Sequence, residues 1–489
     1  MKLISFNGLI VILGEEICLS ANRNPYLLFG TKTSYTFANQ GIPATRVHDV
    51  VGCQPKAIWL LSRHGSNNPE ANEISDLQSL VHLKKNIQEN YRNGNFRNTN
   101  TFFILDNLIR WLHFQQRICE ADLQILDRWD WNPRHNATFA GDLTSDGYLT
   151  TEQLANAWRK RFPGLLTDNR HDYLFKFADD KRSTTSFHAF LEGLFKDQAE
   201  LRGYDIPKEN DAKLLKPFEN CPAWINKVQN NNETYTQLSI FEGKREYQEM
   251  INNVSRRLGF NYDIDKDTLK RMYNMCRYNK AWDVAQISPW CSVFDQEDLK
   301  RLEYAEDLES YYKYGYGSQI NQNVGCPLIR DMMNFFKKHI ENEVPQQPRA
   351  SVLLGEAASL LAAVTSLRGR RDSAPLTGDN YHTSAQRARR WTISTLAPFN
   401  ANLAAILYTC TPNGNFQIKD QHQVLFLENE QPMYLEGCRV GLCEWSYVVE
   451  HYADFVNKCD TNVCNGATSP NIFVAATLAM VAFLVTVSI

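Results

Sequence analysis

The sequence predicts an α/β fold in which a mostly parallel sheet is flanked by helices and interrupted by an inserted, mainly helical cap. The apolar run 57–61 has the length and the bounding residues of a buried strand in a parallel sheet. A second apolar run, 350–355, leads into a helix that is rich in Ala and Leu. The stretch 200–345 between them is polar, rich in Tyr and mainly helical in pattern, which suits a cap inserted into the sheet domain.

Length and composition fit this organisation. With 489 residues, 43% of them hydrophobic, the chain can bury a large core, either as one domain with an insertion or as two domains. The net charge of -3 argues against a general nucleic-acid binder, so a local basic pocket must bind any anionic ligand. The predicted segments are a signal peptide over 1–20, α/β core over 21–199, the cap over 200–345, α/β core over 346–465 and a C-terminal hydrophobic signal over 466–489.

Further elements follow from the spacing of apolar residues. Helices are predicted around 75–88 and 102–126, where apolar residues lie three and four positions apart. Residues 143–148 are predicted to form a turn, with a helix starting near Thr151. A strand over 172–178 and a helix over about 183–195 complete this half of the chain.

Arg63, His64 and Gly65 lie at the carboxyl end of the predicted strand 57–61, after Ser62. Open α/β sheets place their chemistry at the carboxyl ends of strands. An imidazole can attack phosphorus while a neighbouring guanidinium binds phosphate oxygens in a planar fork, and the glycine allows a tight turn. The tripeptide alone is also compatible with a hydrogen-bonded histidine at a strand end, so other parts of the chain must support the phosphoryl chemistry.

The amino terminus and the cysteines indicate the secretory pathway. Residues 3–13 form a short apolar stretch behind Lys2, as in a signal peptide. Cleavage near Ser20 would remove Cys18 and leave an odd number of the 12 cysteines, whereas cleavage near Gly14 would keep all of them. In an oxidising compartment, disulfides are expected.

Three sequons, at Asn136, Asn232 and Asn253, agree with this compartment and predict a glycoprotein. Residues 472–489 carry no charge and follow a short polar stretch with small residues, which is typical of a glycosylphosphatidylinositol (GPI) attachment signal. We therefore expect the protein on the cell surface, bound to the membrane through a lipid anchor. A C-terminal transmembrane helix or a secreted protein is the alternative.

No motif indicates a metal or a cofactor, and we expect neither. The sequence contains no Gly-x-Gly-x-x-Gly after a strand, no Walker-type loop and no His-Glu-x-x-His. The spacings of Cys438 with Cys443 and of Cys459 with Cys464 could suggest metal knuckles. In a secreted chain we expect these cysteines in disulfides instead.

Arg63-His64-Gly65, with Pro69 four residues after the glycine, resembles the signature of the histidine phosphatases. Segments along nearly the whole chain resemble the multiple inositol polyphosphate phosphatase branch of that superfamily. These segments are 29–35, Leu143-Thr144 with Gly147, 288–291, 315–317, 398–403 with Leu407-Tyr408, and 429–432 before Cys438.

The resemblance implies the histidine phosphatase fold and a two-step hydrolysis of phosphomonoesters, with inositol polyphosphates as substrates. His64 would be the nucleophile that forms a phosphohistidine, and Arg63 would bind the phosphate oxygens. Arg182 would bind them too, because residues 178–186 are similar to the family's second segment with a pocket arginine. Water would then release phosphate.

Three positions depart from the family's pattern. Asn67 stands where the signature has a second phosphate-binding arginine, and Glu356 and Ala358 stand where the family has the histidine and the glutamate of His-Ala-Glu. The proton donor is then missing, unless Glu356 itself donates or an alignment shifted by one residue places it at the acid position. The sequence thus predicts a phosphatase of reduced activity. A catalytically dead pseudophosphatase that acts as a cell-surface binding or scaffold protein is the alternative.

Overall fold

A mixed sheet is the centre of the fold. The structure, a computed structural model, describes residues 2–6, 9–13, 18–19, 25–39, 49–93, 117–196, 213–341, 347–411, 420–459 and 464. Its strands are β1 Lys2–Phe6, β2 Leu9–Leu13, β3 Cys53–Arg63, β4 Tyr173–Phe177, β5 Ala350–Gly355, β6 Asn402–Cys410, β7 His422–Glu428, β8 Gln431–Pro432 and β9 Leu442–Glu444. In these ranges β3 to β9 form one seven-stranded sheet of order β4-β5-β3-β6-β7-β8, with β9 beside β7.

The strand directions place three strand ends at one edge. β5 is parallel to β3 and to β4, whereas β6 is antiparallel to β3 and to β7, so four of the seven strands share one direction. Arg63 is in register with Gly355, and Ser62 with Asn402. The carboxyl ends of β3 and β5 therefore meet the amino end of β6. The predicted α/β class is confirmed.

Helices cover both faces of the sheet. They are α1 Tyr35–Ala38, α2 Ala71–Gln78, α3 Leu80–Arg92, α4 Glu120–Arg128, α5 Ser145–Arg161, α6 Lys181–Phe195, α7 Pro222–Trp224, α8 Thr236–Glu242, α9 Arg245–Arg257, α10 Lys266–Trp282, α11 Gln296–Lys313, α12 Asn321–Val324, α13 Cys326–Glu341, α14 Ala357–Ser366, α15 Ser384–Arg387, α16 Ile393–Leu396 and α17 Trp445–Asn457. A π turn spans Ile225–Gln229, and 3₁₀ turns span Pro25–Leu27, Gly30–Lys32, Ala137–Phe139, Arg170–Asp172, Asn232–Tyr235 and Pro289–Val293.

β3 shows why the apolar run is continuous. Trp59 and Leu61 pack into a large core with α10, α11, α13 and α14, whereas Ile58 and Leu60 pack into a second core with α5 and α6. Successive side chains of a strand point to opposite faces, so a strand covered on both faces is apolar at every position.

The turn predicted over 143–148 is wrong from Ser145 onward, and so is the predicted helix start near Thr151, because α5 begins at Ser145. Thr144 is the N-cap residue, and its hydroxyl accepts a hydrogen bond from the Gly147 amide at 2.9 Å. The predicted strand 172–178 and helix 183–195 correspond to β4 and α6. All described elements within 213–341 are helical, and the predicted domain boundaries stay predictions.

All 12 cysteines form disulfides. The pairs are Cys18–Cys119, Cys53–Cys410, Cys221–Cys464, Cys276–Cys291, Cys326–Cys459 and Cys438–Cys443. Cys459 and Cys464 thus pair with distant cysteines and not with each other. A signal cleavage near Gly14 would keep the Cys18–Cys119 bond, whereas cleavage near Ser20 would remove it.

The two termini differ in what the structure describes. β1 and β2 pair as antiparallel strands within the predicted signal peptide, and the predicted C-terminal signal over 466–489 lies outside the described residues. Among the described helices, none has the length and apolar character needed to cross a membrane.

Candidate active site

The end of β3 brings Arg63 and His64 to the edge where three strands meet. The His64 amide donates to the carbonyl of Gly355 on β5 at 2.9 Å, and the Asn400 amide donates to the carbonyl of His64 at 3.1 Å. Backbone hydrogen bonds from β5 and from the loop that precedes β6 therefore fix the position of His64.

The loop after His64 packs closely against the start of α5. A Cβ atom on Gly65 would lie 2.4 Å from the carbonyl oxygen of Gly147, and one on Gly147 would lie 2.1 Å from the carbonyl oxygen of Ser66. Both positions therefore require glycine. The Gly65 amide also donates to Ser186 Oγ on α6 at 3.0 Å, so two helices position the loop.

Arg63 lies buried beneath the site. Its Nη1 donates to the carbonyls of Thr31 and Ala397, the latter at 2.8 Å, and its guanidinium carbon lies 4.5 Å from the centre of the Phe399 ring. Burial, followed by the charge of Arg182, lowers the pKa of Arg63 to about 9. Arg63 is thus still cationic at neutral pH, in surroundings that favour an added anion.

One ring nitrogen of His64 faces a backbone carbonyl group. Its Nδ1 lies 2.8 Å from the carbonyl oxygen of Gly65. A carbonyl oxygen only accepts, so we assign the proton to Nδ1, which leaves the lone pair on Nε2. Burial, then Arg63 and Arg182, lowers the pKa of His64 well below its usual value. The imidazole is therefore neutral at neutral pH.

Arg182, the second residue of α6, is surrounded by carboxylates. Its Nη1 lies 2.6 Å from Glu70 Oε1, its Nη2 lies 3.0 Å from Glu356 Oε1, and its Nε lies 3.7 Å from Asp180 Oδ1. Glu356 directly follows Gly355, whose carbonyl accepts from the His64 amide, so the structure brings Arg182 together with Arg63 and His64. Three protein carboxylates thus share the guanidinium of Arg182.

The three positions that differ from the family's pattern lie near Arg63, His64 and Arg182. Asn67 is buried, and its Nδ2 donates to the carbonyl of Asn68 at 2.8 Å. Glu356 is the N-cap residue of α14, and its Oε1 also lies 3.5 Å from Lys216 Nζ. Ala358 is buried in an apolar cluster with Phe218 and Trp224. Position 358 therefore supplies no proton donor.

Sequence reasoning did not identify Glu70 and Lys216 as parts of this site. Glu70 directly follows Pro69 of the signature, which is the one signal that could have indicated it. Lys216 lies between Asp180 and Glu356, at 3.5 Å from each, and its charge lowers the pKa of His64. Nothing in the local sequence distinguishes Lys216 from other lysines of the predicted cap.

Replacing Glu70 by Gln should strengthen the binding of inorganic phosphate, because Arg182 Nη1 would lose its carboxylate partner. We expect a gain of roughly twofold to fivefold, the range for a partly exposed ion pair, measured as the phosphate dissociation constant by calorimetry. Glu297→Gln on α11, whose carboxylate lies 2.7 Å from Lys300 Nζ, is the matched control and should change nothing. Weaker phosphate binding by Glu70→Gln would show that Glu70 supports the pocket.

Comparisons with known proteins agree with this geometry. The sequence model of the family "Histidine phosphatase superfamily (branch 2)" matches residues 56–424. Multiple inositol polyphosphate phosphatase 1 of Drosophila melanogaster is 31% identical over 469 residues, covering 95% of this chain and 93% of the relative. The human protein of that name is 28% identical over 471 residues, covering 91% and 89%.

Solved structures share the fold. The phytase from D. castellii superposes with a TM-score of 0.65 at 15% identity, covering 90% of this chain and 88% of the phytase. The Bifidobacterium longum multiple inositol polyphosphate phosphatase, in complex with inositol hexasulfate, superposes with a TM-score of 0.55 at 12% identity, covering 88% and 98%. The chain belongs to the histidine phosphatase superfamily, branch 2, and within it to the multiple inositol polyphosphate phosphatase family.

Proposed function

We propose that this protein is a phosphatase that hydrolyses phosphomonoesters, with inositol polyphosphates as its substrates, through a phosphohistidine on His64. One observation carries the proposal: the Nδ1 atom of the buried His64 lies 2.8 Å from the carbonyl oxygen of Gly65, which leaves Nε2 to act as the nucleophile beside Arg63. The names of the relatives support the substrate class.

The reaction has two steps. In the first, the Nε2 lone pair of His64 forms a bond to phosphorus as the bond from phosphorus to the ester oxygen breaks, and the leaving alkoxide takes up a proton. In the second, water attacks the phosphorus as the bond from nitrogen to phosphorus breaks. The protons of the water leave with the phosphate or pass to the solvent, and His64 is neutral again. Arg63 and Arg182 stabilise the charge on the phosphoryl oxygens throughout.

The site lacks an evident proton donor for the leaving group. Ala358 has no ionisable group, and Glu356 accepts from Arg182 at 3.0 Å, which places its carboxyl group next to the phosphate position. Loss of a general acid typically slows such a reaction by about 10²- to 10⁴-fold. We therefore propose a slow phosphatase, in which water protonates the leaving group, because the Glu356 carboxylate is paired with Arg182 and Lys216.

A pseudophosphatase that binds phosphorylated ligands is the second candidate. The observation that favours it is the set of carboxylates on Arg182, because Glu70 and Glu356 compete with a phosphate for the same guanidinium. Retention of His64 in the nucleophilic tautomer favours the enzyme.

Phosphate release by the purified protein decides between the two. The substrates should include inositol hexakisphosphate, an inositol monophosphate and p-nitrophenyl phosphate. We expect slow release of phosphate by the unmodified protein. Binding of inositol hexakisphosphate without any release above the background of a His64→Ala variant would establish the pseudophosphatase and contradict the proposal.

We also propose that the protein is an N-glycosylated cell-surface protein with a lipid anchor. The terminal sequence patterns support the signal peptide and the anchor. Among the three sequons, Asn232 is exposed in a 3₁₀ turn, whereas Asn136 and Asn253 are half-buried. Asn232 is therefore the position where a glycan meets the least hindrance.

Phosphatidylinositol-specific phospholipase C tests the anchor. Treated cells should release the protein into the medium, and an N-glycosidase should lower its mass by less in an Asn232→Gln variant. Retention of the protein on treated cells, together with an unchanged mass after the glycosidase, would contradict both parts.

A further inference from the structure

The 3₁₀ turn Gly30–Lys32 is fixed against the pocket. The Gly30 amide donates to Ser394 Oγ at 2.8 Å, and the Thr31 amide donates to Glu306 Oε1 at 2.8 Å. Gly30 has a φ of +53°, and a Cβ atom there would lie 2.2 Å from Glu306 Oε2. Only glycine fits between the turn and this carboxylate, so the backbone before Lys32 has one defined position.

This turn contacts the phosphate-binding machinery directly. The carbonyl of Thr31 accepts a hydrogen bond from Arg63 Nη1, so Lys32 starts one residue from the Arg63 guanidinium. The Lys32 ammonium lies 5.0 Å from the centre of the Tyr278 ring and 4.0 Å from Glu73 Oε1, and the side chain is 17% exposed. Its charge and that of Arg63 influence each other.

The two carboxylates near Lys32, those of Glu306 and Glu73, are both shared with other groups. Glu306 is bound to Arg277 and to both the amide and the hydroxyl of Thr31. Glu73 Oε2 accepts from the Tyr278 hydroxyl at 2.9 Å, so Lys32 shares this carboxylate. Burial, followed by the charge of Arg277, lowers the pKa of Lys32 to about 8. A cation in such surroundings gains from a further anion.

We propose that Lys32 binds a second phosphate group of the substrate, one that neighbours the phosphate that His64 attacks. Lys32 is then a specificity-determining residue that selects polyphosphorylated over singly phosphorylated substrates. In the free protein Glu73 takes the place of that second phosphate. This inference rests on the proposed function, because it assumes that the phosphoryl group bound by Arg63 reacts at His64.

Kinetics with two substrates test the proposal. Lys32→Met should raise the KM for inositol hexakisphosphate about tenfold or more, the effect of one charge-assisted hydrogen bond. The KM for p-nitrophenyl phosphate should change less than about twofold, because that substrate has no second phosphate. Glu73→Gln should lower the KM for inositol hexakisphosphate alone. Lys300→Met, a surface lysine on α11, is the matched control. An equal effect of Lys32→Met on both substrates would overturn the proposal.

The pH dependence gives a second readout. The ratio of kcat/KM for the two substrates should be constant below the pKa of Lys32 and should fall as the pH rises through about 8, because the ammonium loses its charge. The other charged or titratable groups facing Lys32 are Arg63, Arg277, Tyr278, Glu73 and Glu306. Arg63 binds the reacting phosphate of both substrates, so its titration cancels in the ratio. Lys32→Arg should keep the selectivity, and its ratio of kcat/KM should no longer fall above about pH 8. A fall of the ratio that persists in Lys32→Arg would contradict the role of Lys32.

A protein without phosphatase activity can be distinguished from a wrong assignment of Lys32. If the unmodified protein released no phosphate from either substrate, calorimetry with inositol hexakisphosphate and with inorganic phosphate would take the place of kinetics. Lys32→Met should weaken the binding of inositol hexakisphosphate by about tenfold. It should change the dissociation constant of inorganic phosphate by less than about twofold. Equal changes, or no binding of inositol hexakisphosphate to the unmodified protein, would overturn the proposal.

Discussion

Restoring the family's residues through Asn67→Arg, Glu356→His and Ala358→Glu should raise the rate of phosphate release by orders of magnitude. A general acid contributes about 10²- to 10⁴-fold, and a preorganised donor to the phosphoryl oxygens about 10²- to 10³-fold. Glu356→His also removes a carboxylate from Arg182 and from Lys216. A glutamate at position 358 would lie beside Phe218 and Trp224, and burial there favours the protonated form that donates.

The measurement is kcat/KM of the triple variant, the three single variants and the unmodified protein. The gain should be more than additive, because a donor acts only on a phosphate that is correctly bound. Melting temperatures exclude variants that fail to fold, since Asn67 and Ala358 are both buried. A folded triple variant without any gain would contradict the assignment of these positions. Fast turnover by the unmodified protein that is lost in Glu356→Ala would instead identify Glu356 as the acid.

Replacing His64 by Ala should lower the rate by at least about 10³-fold, because the covalent step loses its nucleophile. The fold should be unchanged, since the imidazole contacts only the carbonyl of Gly65 and, at 6.1 Å between ring centres, Phe399 among the interactions of the described residues. His82→Ala, an exposed histidine on α3, is the matched control. A His64→Ala variant that keeps most of the phosphatase activity would contradict the proposed mechanism.

The same residue determines the acid limb of the pH profile. Protonated His64 has no lone pair on Nε2, so activity is lost as the pH falls through its pKa. Burial and the two arginines lower that pKa, so the acid limb should lie well below the usual value of about 6.5. The measurement is kcat/KM of p-nitrophenyl phosphate between pH 4 and pH 8. An acid limb at the ordinary histidine value would contradict the buried, neutral imidazole.

The buried strand β3 and the site residues at its carboxyl end could be predicted from the local sequence. The apolar run 57–61 alternates between two cores, which leaves a pattern that any buried strand shows. The start of α5 was placed too late because Ser145, Asp146 and Gly147 are residues that turns favour, although the Thr144 hydroxyl caps the helix through the Gly147 amide.

The charges around the site could be predicted only in part. Arg63 and His64 follow the strand, and Arg182 was found through the resemblance to the family. The ion pairs that bind Arg182 to Glu70 and Lys216 to Glu356 join residues more than 100 positions apart, and no local pattern records such a pairing. The same holds for Lys32, whose surroundings come from α2, α10 and α11.

Trapping the covalent intermediate tests the central claim most directly. The unmodified protein would be mixed with inositol hexakisphosphate, quenched within the first turnover under alkaline conditions that preserve phosphohistidine, and digested for mass spectrometry. We predict a phosphoryl group on the peptide that contains His64, located on the imidazole and absent from Arg63→Ala and His64→Ala variants. Phosphate release at the normal rate, with no phosphorylated His64 at any time during the first turnover, would contradict the account.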